Sequence, residues 1–127
     1  GVATSANYAD LAEIYSTDKE YEVGTVMAIG GDAETTEYDK TKSVFGVISE
    51  KPGFLMNKDA EGQAIAFVGR VPVKVKGAVS KGDKVFADDG GVATTTKKGE
   101  LVGFALATDT NESTKLVEVA LRLINNS

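Results

Sequence analysis

Two stretches of the chain repeat each other in kind, and that repetition limits the fold more than any other feature. "VGTVMAIGGDAETT…SVFGVIS" (23–36 and 43–49) is echoed by "KGDKVFADDGGVATT…LVGFALA" (81–95 and 101–107). Each stretch starts at a turn glycine (Gly24, Gly82), enters a short apolar strand, and passes a Gly-Gly pair (Gly30–Gly31, Gly90–Gly91) and two threonines. Each then closes on an apolar strand with a glycine at its middle (Gly46, Gly103). The turn glycine leads the mid-strand glycine by 22 residues in one stretch (24 to 46) and 21 in the other (82 to 103). Near-equal spacing predicts two related β units around one core rather than two independent domains. A glycine inside a strand marks a bulge or a close backbone approach, which a small barrel needs where it bends.

The rest of the chain agrees with an all-β reading. Strands are predicted over Thr25–Ile29, Ser43–Ser49, Ala64–Val68, Val71–Lys76, Lys84–Ala87, Glu100–Ala107 and Leu116–Ile124, with Gly, Asp and Asn between them. In the last run Val117, Val119, Leu121 and Leu123 fall on one face and Glu118 and Arg122 on the other, a period of two. "GRVPVKVKG" alternates in the same way, and Pro72, which cannot donate to a ladder, marks an edge or a bulge there. "YADLAEIY" fits helix and strand equally, because so short a run carries no decisive period. The expected organisation is an extended N-terminal strap over 1–22 followed by a single small barrel over 23–127. The chain opens on Gly1 rather than Met, as expected of a processed product or an excised fragment.

Composition narrows the chemistry. With no cysteine and no histidine, the chain has no disulfide, no thiol nucleophile, no Cys/His zinc site and no imidazole-based triad. The formal charge of −5 argues against nucleic-acid binding, since an acidic surface repels phosphates. Lys74, Lys76, Lys81 and Lys84 form the one local basic cluster and read as lysines guarding a strand edge. No apolar run approaches the ~20 residues needed to cross a bilayer, so no membrane insertion is expected. The glycine pairs lack the order of a phosphate-binding loop. The acids of "DAETTEYD" (Asp32, Glu34, Glu37, Asp39) supply hard oxygens but not the register of a calcium loop, so neither metal nor cofactor is expected. The remaining question is Asp10 and Glu13, three apart and able in principle to act as an acid/base pair if one were desolvated.

Two resemblances bear on that question. "YADLAEIYSTDKEYEVGTVMAIGGD…VFGVISEKPGFLMN" resembles the C-terminal domain of many tailed-phage fibre and neck-appendage proteins. The matching positions are Ala9-Asp10-Leu11-Ala12-Glu13, Gly24, Gly31-Asp32, Gly46-Val47-Ile48-Ser49, Pro52 and Asn57. Some members, of the autoproteolytic intramolecular-chaperone type, assist trimer assembly and then cut themselves before the Asp of this motif. The resemblance would give Asp10 and Glu13 the catalytic roles. The residue ahead of the cut is a serine in those members and Ala9 in this chain, so the motif is read as a retained structural strap and Asp10 and Glu13 as non-catalytic. The C-terminal half, "GRVPVKVKGAVSKGDKVFADDGGVATTT…LVGFALATDT…LVEVALR", is similar to the β-tulip proteins that decorate phage heads.

Together the resemblances imply a non-enzymatic structural protein of a tailed-phage virion, located on a fibre, an appendage or the capsid surface. Its partners would be other virion proteins and its own copies in a homotrimer. Interface candidates are Tyr8, Leu11, Ile14 and Tyr15 in the strap, and Phe54, Leu55 and Met56 in the apolar "GFLMN" turn. Self-cleavage at Asp10 is one alternative. A tip that binds host-surface glycan is another, with Tyr8, Tyr15, Tyr21 and Tyr38 as stacking platforms.

Overall fold

The computed structural model describes residues 9–123, and within them every regular element is a strand. In chain order these are β1 (Asp10–Tyr15), β2 (Val26–Ile29), β3 (Thr35–Glu37), β4 (Val44–Ile48), β5 (Phe54–Met56), β6 (Gln63–Val75), β7 (Lys84–Asp88), β8 (Val92–Thr94), β9 (Leu101–Ala105) and β10 (Lys115–Arg122). The fold is an all-β small barrel with additional strands. Tyr8 and Ile124 lie outside the described residues.

The closed barrel is formed by the second half of β6, then β10, β9, β7 and β8. β8 returns to β6 through a parallel pairing of Val75 with Ala93. A barrel of this width is filled by its own side chains. Val73, Val85, Val102, Val119 and Leu121 supply that filling, all fully shielded from solvent.

The first half of the chain repeats this arrangement pair by pair. β1 runs antiparallel to the first half of β6, β6 to β4, β4 to β2 and β2 to β3. A parallel bridge from Thr17 to Thr35 joins the two ends, as Val75–Ala93 does in the second half. Equivalent residues are separated by 58 positions over most of the repeat (Thr17 to Val75, Thr35 to Ala93, Gly24 to Gly82). The backbone bonds repeat too. Gly24 N–H donates to Ile48 O at 2.9 Å and Ile48 N–H to Thr25 O at 3.0 Å, while Gly82 donates to Ala105 and Ala105 to Asp83, both at 2.8 Å. The molecule is therefore two five-strand units, and β6 is the last strand of one and the first strand of the next.

The mid-strand glycines explain why the units bend alike. Met27 pairs with Gly46 and Ala28 with Val44, so Phe45 is the extra residue of a bulge. In the second unit Val85 pairs with Gly103 and Phe86 with Leu101, which leaves Val102 as the extra residue. A methyl at Gly46 would overlap Ile65, and one at Gly103 would overlap the carbonyl oxygen of Ala120. Both positions need glycine because the neighbouring strand comes too close. Gly24 and Gly82 need it for another reason, with φ of +89° and +94°.

Three expectations change. Ala64–Val68 and Val71–Lys76 are one continuous strand, with Pro72 opposite Glu118. Lys74 N–H donates to Gly24 O on the edge of β6 away from β10. Alternation puts the Pro72 nitrogen on that same edge, so no ladder bond to β10 is lost. The ambiguous "YADLAEIY" resolves as strand β1. Lys84 lies on β7, which is flanked by β8 and β9, so it guards no sheet edge. The short strands β3, β5 and β8 have three residues each, too few for a readable period.

Candidate functional site

Strand geometry settles where Asp10 and Glu13 point. Side chains alternate along a strand, so residues three apart face opposite sides, and at ~3.3 Å per residue their Cα atoms stand ~10 Å apart. Asp10 shares a face with Ala12 and is 5% exposed. Its Oδ2 accepts the Ser49 hydroxyl at 2.7 Å and its Oδ1 accepts the Gly53 N–H at 3.0 Å. The same Gly53 N–H also reaches the Asp10 carbonyl at 2.9 Å. Both carboxylate oxygens are thus engaged in fixing the loop that leads from β4 to β5. Glu13 lies on the other face and accepts the Tyr15 hydroxyl at 3.0 Å. The two acids share no site for proton transfer. The strap is not a free extension at Asp10: pairing of β1 with β5 and β6 buries that residue.

Asp10 floors an open cleft of about 260 Å³, lined also by Ser49, Lys51, Arg70, Pro72 and Glu118. Arg70 Nη1 meets Glu118 Oε1 at 3.4 Å across it, between half-exposed side chains, and such a pair contributes little. The cleft holds charges of both signs and no aromatic wall.

The strap and the "GFLMN" turn, 43 residues apart in sequence, come together. β1 and β5 run parallel with Leu11 beside Phe54, Ala12 beside Leu55 and Glu13 beside Met56. Phe54 is 63% exposed, whereas Leu55 packs on the core and Leu11, Ile14 and Met56 are half-buried. Tyr15 packs edge-on against Phe45 at 4.9 Å and Phe67 at 6.4 Å between ring centres, at the margin of the first unit's interior. Burial and the neighbouring Glu13 both push the Tyr15 hydroxyl above its ordinary pKa.

The tyrosines do not form a row of stacking platforms. Tyr38 is 1% exposed and Tyr21 is 8% exposed, so neither can offer a ring face to a sugar. Tyr21 donates to Asp18 Oδ1 at 2.6 Å, and that bond lowers the Asp18 pKa. Tyr38 sits beneath Gly99, and burial, followed by the charge of Glu100, raises its pKa. Nor do the acids of "DAETTEYD" converge. Glu34 accepts the Ser16 N–H, and Asp39 binds Lys42 at 2.6 Å, which takes its pKa to about 2. Among the described residues no group of three or more acids could hold a metal ion.

Sequence reading missed the contact between the two units. Gly91, on the turn from β7 to β8, sits between Val26 and Tyr38 of the first unit. It accepts the Val26 N–H at 2.8 Å and donates to Tyr38 O at 3.1 Å. A side chain there would strike Thr25 and Glu37. Beside it Asp89 accepts the Lys40 N–H at 2.8 Å, and Glu100 accepts the Val44 N–H at 2.6 Å. The second Gly-Gly pair was a usable signal for this close approach.

No protein-family model and no curated protein sequence matches the chain. Solved structures do share its fold. The crystal structure of the pre-mature bacteriophage phi29 gene product 12 superposes with a TM-score of 0.69 at 14% identity, over 91% of this chain and 22% of that one. The crystal structure of the phi29 gene product 12 C-terminal fragment gives 0.67 at 14% identity, over 89% of this chain and 100% of the fragment. The chain thus spans about a fifth of the longer of these proteins.

Proposed function

We propose that the chain is a non-enzymatic structural domain of a tailed-phage particle, carried on a fibre or appendage and working as a homotrimer among other virion proteins. The observation that supports it most is the fold likeness to phi29 gene product 12, which extends over 91% of this chain and takes in the whole of that protein's C-terminal fragment. The sequence resemblance to fibre and appendage C-terminal domains points the same way from independent features. At the site, the Asp10 carboxylate braces a loop through Ser49 and Gly53, and Glu13 faces away from it. That arrangement suits a strap that fastens the start of the domain. The half-buried Leu11 and the exposed Phe54, side by side on β1 and β5, supply apolar surface for a neighbour.

Two measurements test the reading. Antibody raised against the chain should label one structure on purified particles in negative-stain micrographs, and particles without label would overturn the virion assignment. The mass of the purified chain, followed for days, should stay constant. A new amino terminus at Asp10, abolished by Glu13→Gln, would replace this reading with the self-cleaving chaperone. Any binding of host glycan would have to use surfaces other than Tyr21 and Tyr38.

A further inference from the structure

The two units are equivalent in backbone, yet they bury opposite things. In the first unit Val26, Ala28, Val44 and Val47 are all 9% exposed or less, and the unit-two turn carrying Asp89 and Gly91 lies at the Val26 end of this surface. The bulge registers and strand pairings make Lys84, Phe86, Leu101 and Phe104 their counterparts in the second unit. There the same surface is less covered: Lys84 is exposed, and the three apolar side chains are half-buried. In the first unit Gly91 bridges Val26 and Tyr38. No described residue bridges their counterparts, Lys84 and Thr96, in that way.

The unit-one turn equivalent to the one bearing Gly91 holds Ser16 of its own unit through Glu34 but, among the described residues, makes no hydrogen bond to the second unit. It joins β2 to β3 over 30–34, and Ile29 beside it is 56% exposed, whereas its counterpart Ala87 is fully buried. One contact within the chain therefore has an open donor at one end and an open acceptor at the other. An interface between unlike faces of equivalent units leaves such a pair of ends by geometry, and a second copy can repeat the contact. The charges are complementary. The turn presents Asp32, exposed and without a salt-bridge partner among the described residues. The open surface is rimmed by Lys84, Lys97 and Lys98, likewise exposed and without one. Within the chain the counterpart contact already uses this chemistry, since Asp89 meets Lys40; Lys98 is the counterpart of Lys40, and Asp32 lies one residue beyond Gly31, the position equivalent to Asp89.

We propose that the β2–β3 turn (30–34) of one copy docks on the Lys84, Phe86, Leu101, Phe104 surface of the next, in a contact of the same kind as the one the two units make within one chain but with Ala33 at the position of Gly91. This rests on the proposed self-association and names the surfaces that produce it. The contact is head-to-tail, so it closes into a ring or grows into a filament, and closure at three copies gives a ring of six five-strand units.

Sedimentation equilibrium on the whole chain tests both levels. The unaltered chain should associate at micromolar concentration. Asp32→Lys and Lys98→Asp, both on exposed side chains, should each weaken association at least about tenfold, because each sets like charges face to face. The double variant should recover most of the loss. If the unaltered chain is a monomer, self-association and this contact both fail. If it associates but neither single reversal changes the affinity, or the double variant restores nothing, this contact fails while self-association stands. Circular dichroism of each variant should match the unaltered chain, which excludes misfolding as the cause of any loss.

Discussion

Replacing Asp10 with alanine isolates what the strap carboxylate does. Two donors lose their acceptor. The Ser49 hydroxyl, on a residue 9% exposed, loses its 2.7 Å bond, and the Gly53 N–H loses the 3.0 Å bond to Oδ1. The Gly53 amide keeps its 2.9 Å bond to the Asp10 carbonyl, so its loss is partial. Hydrogen bonds to a charged group are each worth about 1.5–3 kcal/mol, and the Ser49 hydroxyl can turn toward water in the adjoining cleft, which offsets part of the cost. The expected destabilisation is therefore about 2–3 kcal/mol. Asp10→Asn keeps an acceptor and the side-chain volume, and should cost about 1 kcal/mol from the charge-assisted part alone. Glu13→Gln retains an acceptor for Tyr15 and should stay within about 0.5 kcal/mol of the parent. Urea unfolding followed by tyrosine fluorescence reads all three, with an unchanged m-value expected because the surface exposed on unfolding is the same. If Asp10→Ala costs less than Glu13→Gln, the bracing role is wrong and the buried carboxylate needs another explanation.

Four further outcomes follow from the geometry. Gly103→Ala places a methyl on the Ala120 carbonyl, so β9 and β10 must separate; the loss should be 3 kcal/mol or more by denaturant titration. Gly82→Ala meets no atom within 4 Å but keeps a φ of +94°, so it should cost only about 1–2 kcal/mol of backbone strain. Asp39 has its pKa lowered from the ordinary 3.8 to about 2, chiefly by Lys42, so the stability it lends is present above pH 4 and is lost as pH falls toward 2. Carboxyl NMR of Lys42→Met should show Asp39 titrating closer to its ordinary value, and an unmoved midpoint would remove Lys42 as the cause. Tyr38, its pKa raised by burial, contributes stability below pH 10 that is lost as pH rises through its folded value, and absorbance at 295 nm should show an ionisation above pH 10 that Tyr38→Phe removes.

What could be read from the chain beforehand was local. Gly24 and Gly82 were legible as turns because a positive φ is a demand placed on one residue. Gly46 and Gly103 were legible as strand interruptions because a missing side chain inside an apolar run has few other uses. Period-two alternation from Val117 to Leu123, within the strand expected over Leu116–Ile124, identified β10, observed over Lys115–Arg122. The rhyme between 23–49 and 81–107 gave the two units, yet only half their extent. β1 and the second half of β6 are equivalent strands with no sequence likeness, "DLAEIY" against "VGRVPV", and nothing but their partners makes them so.

Tertiary pairing decided the rest. It made β6 a single strand shared by both units, and it put Leu11 beside Phe54 across 43 residues of chain. Asp10 and Glu13 looked like a pair because spacing along a sequence does not reveal the face of a strand; pairing β1 on both edges turned one inward and the other away. Tyr21 and Tyr38 looked like surface rings because residue type does not record burial, and the packing of the two units covered Tyr38. Nor did the rhyme say that equivalent faces would have different neighbours. The first unit is covered by the second, and the second is left open. A repeated sequence specifies a repeated local conformation through its φ requirements and steric gaps. Which surfaces then meet depends on the whole chain closing on itself, and two equivalent units joined head-to-tail cannot both have the same neighbour.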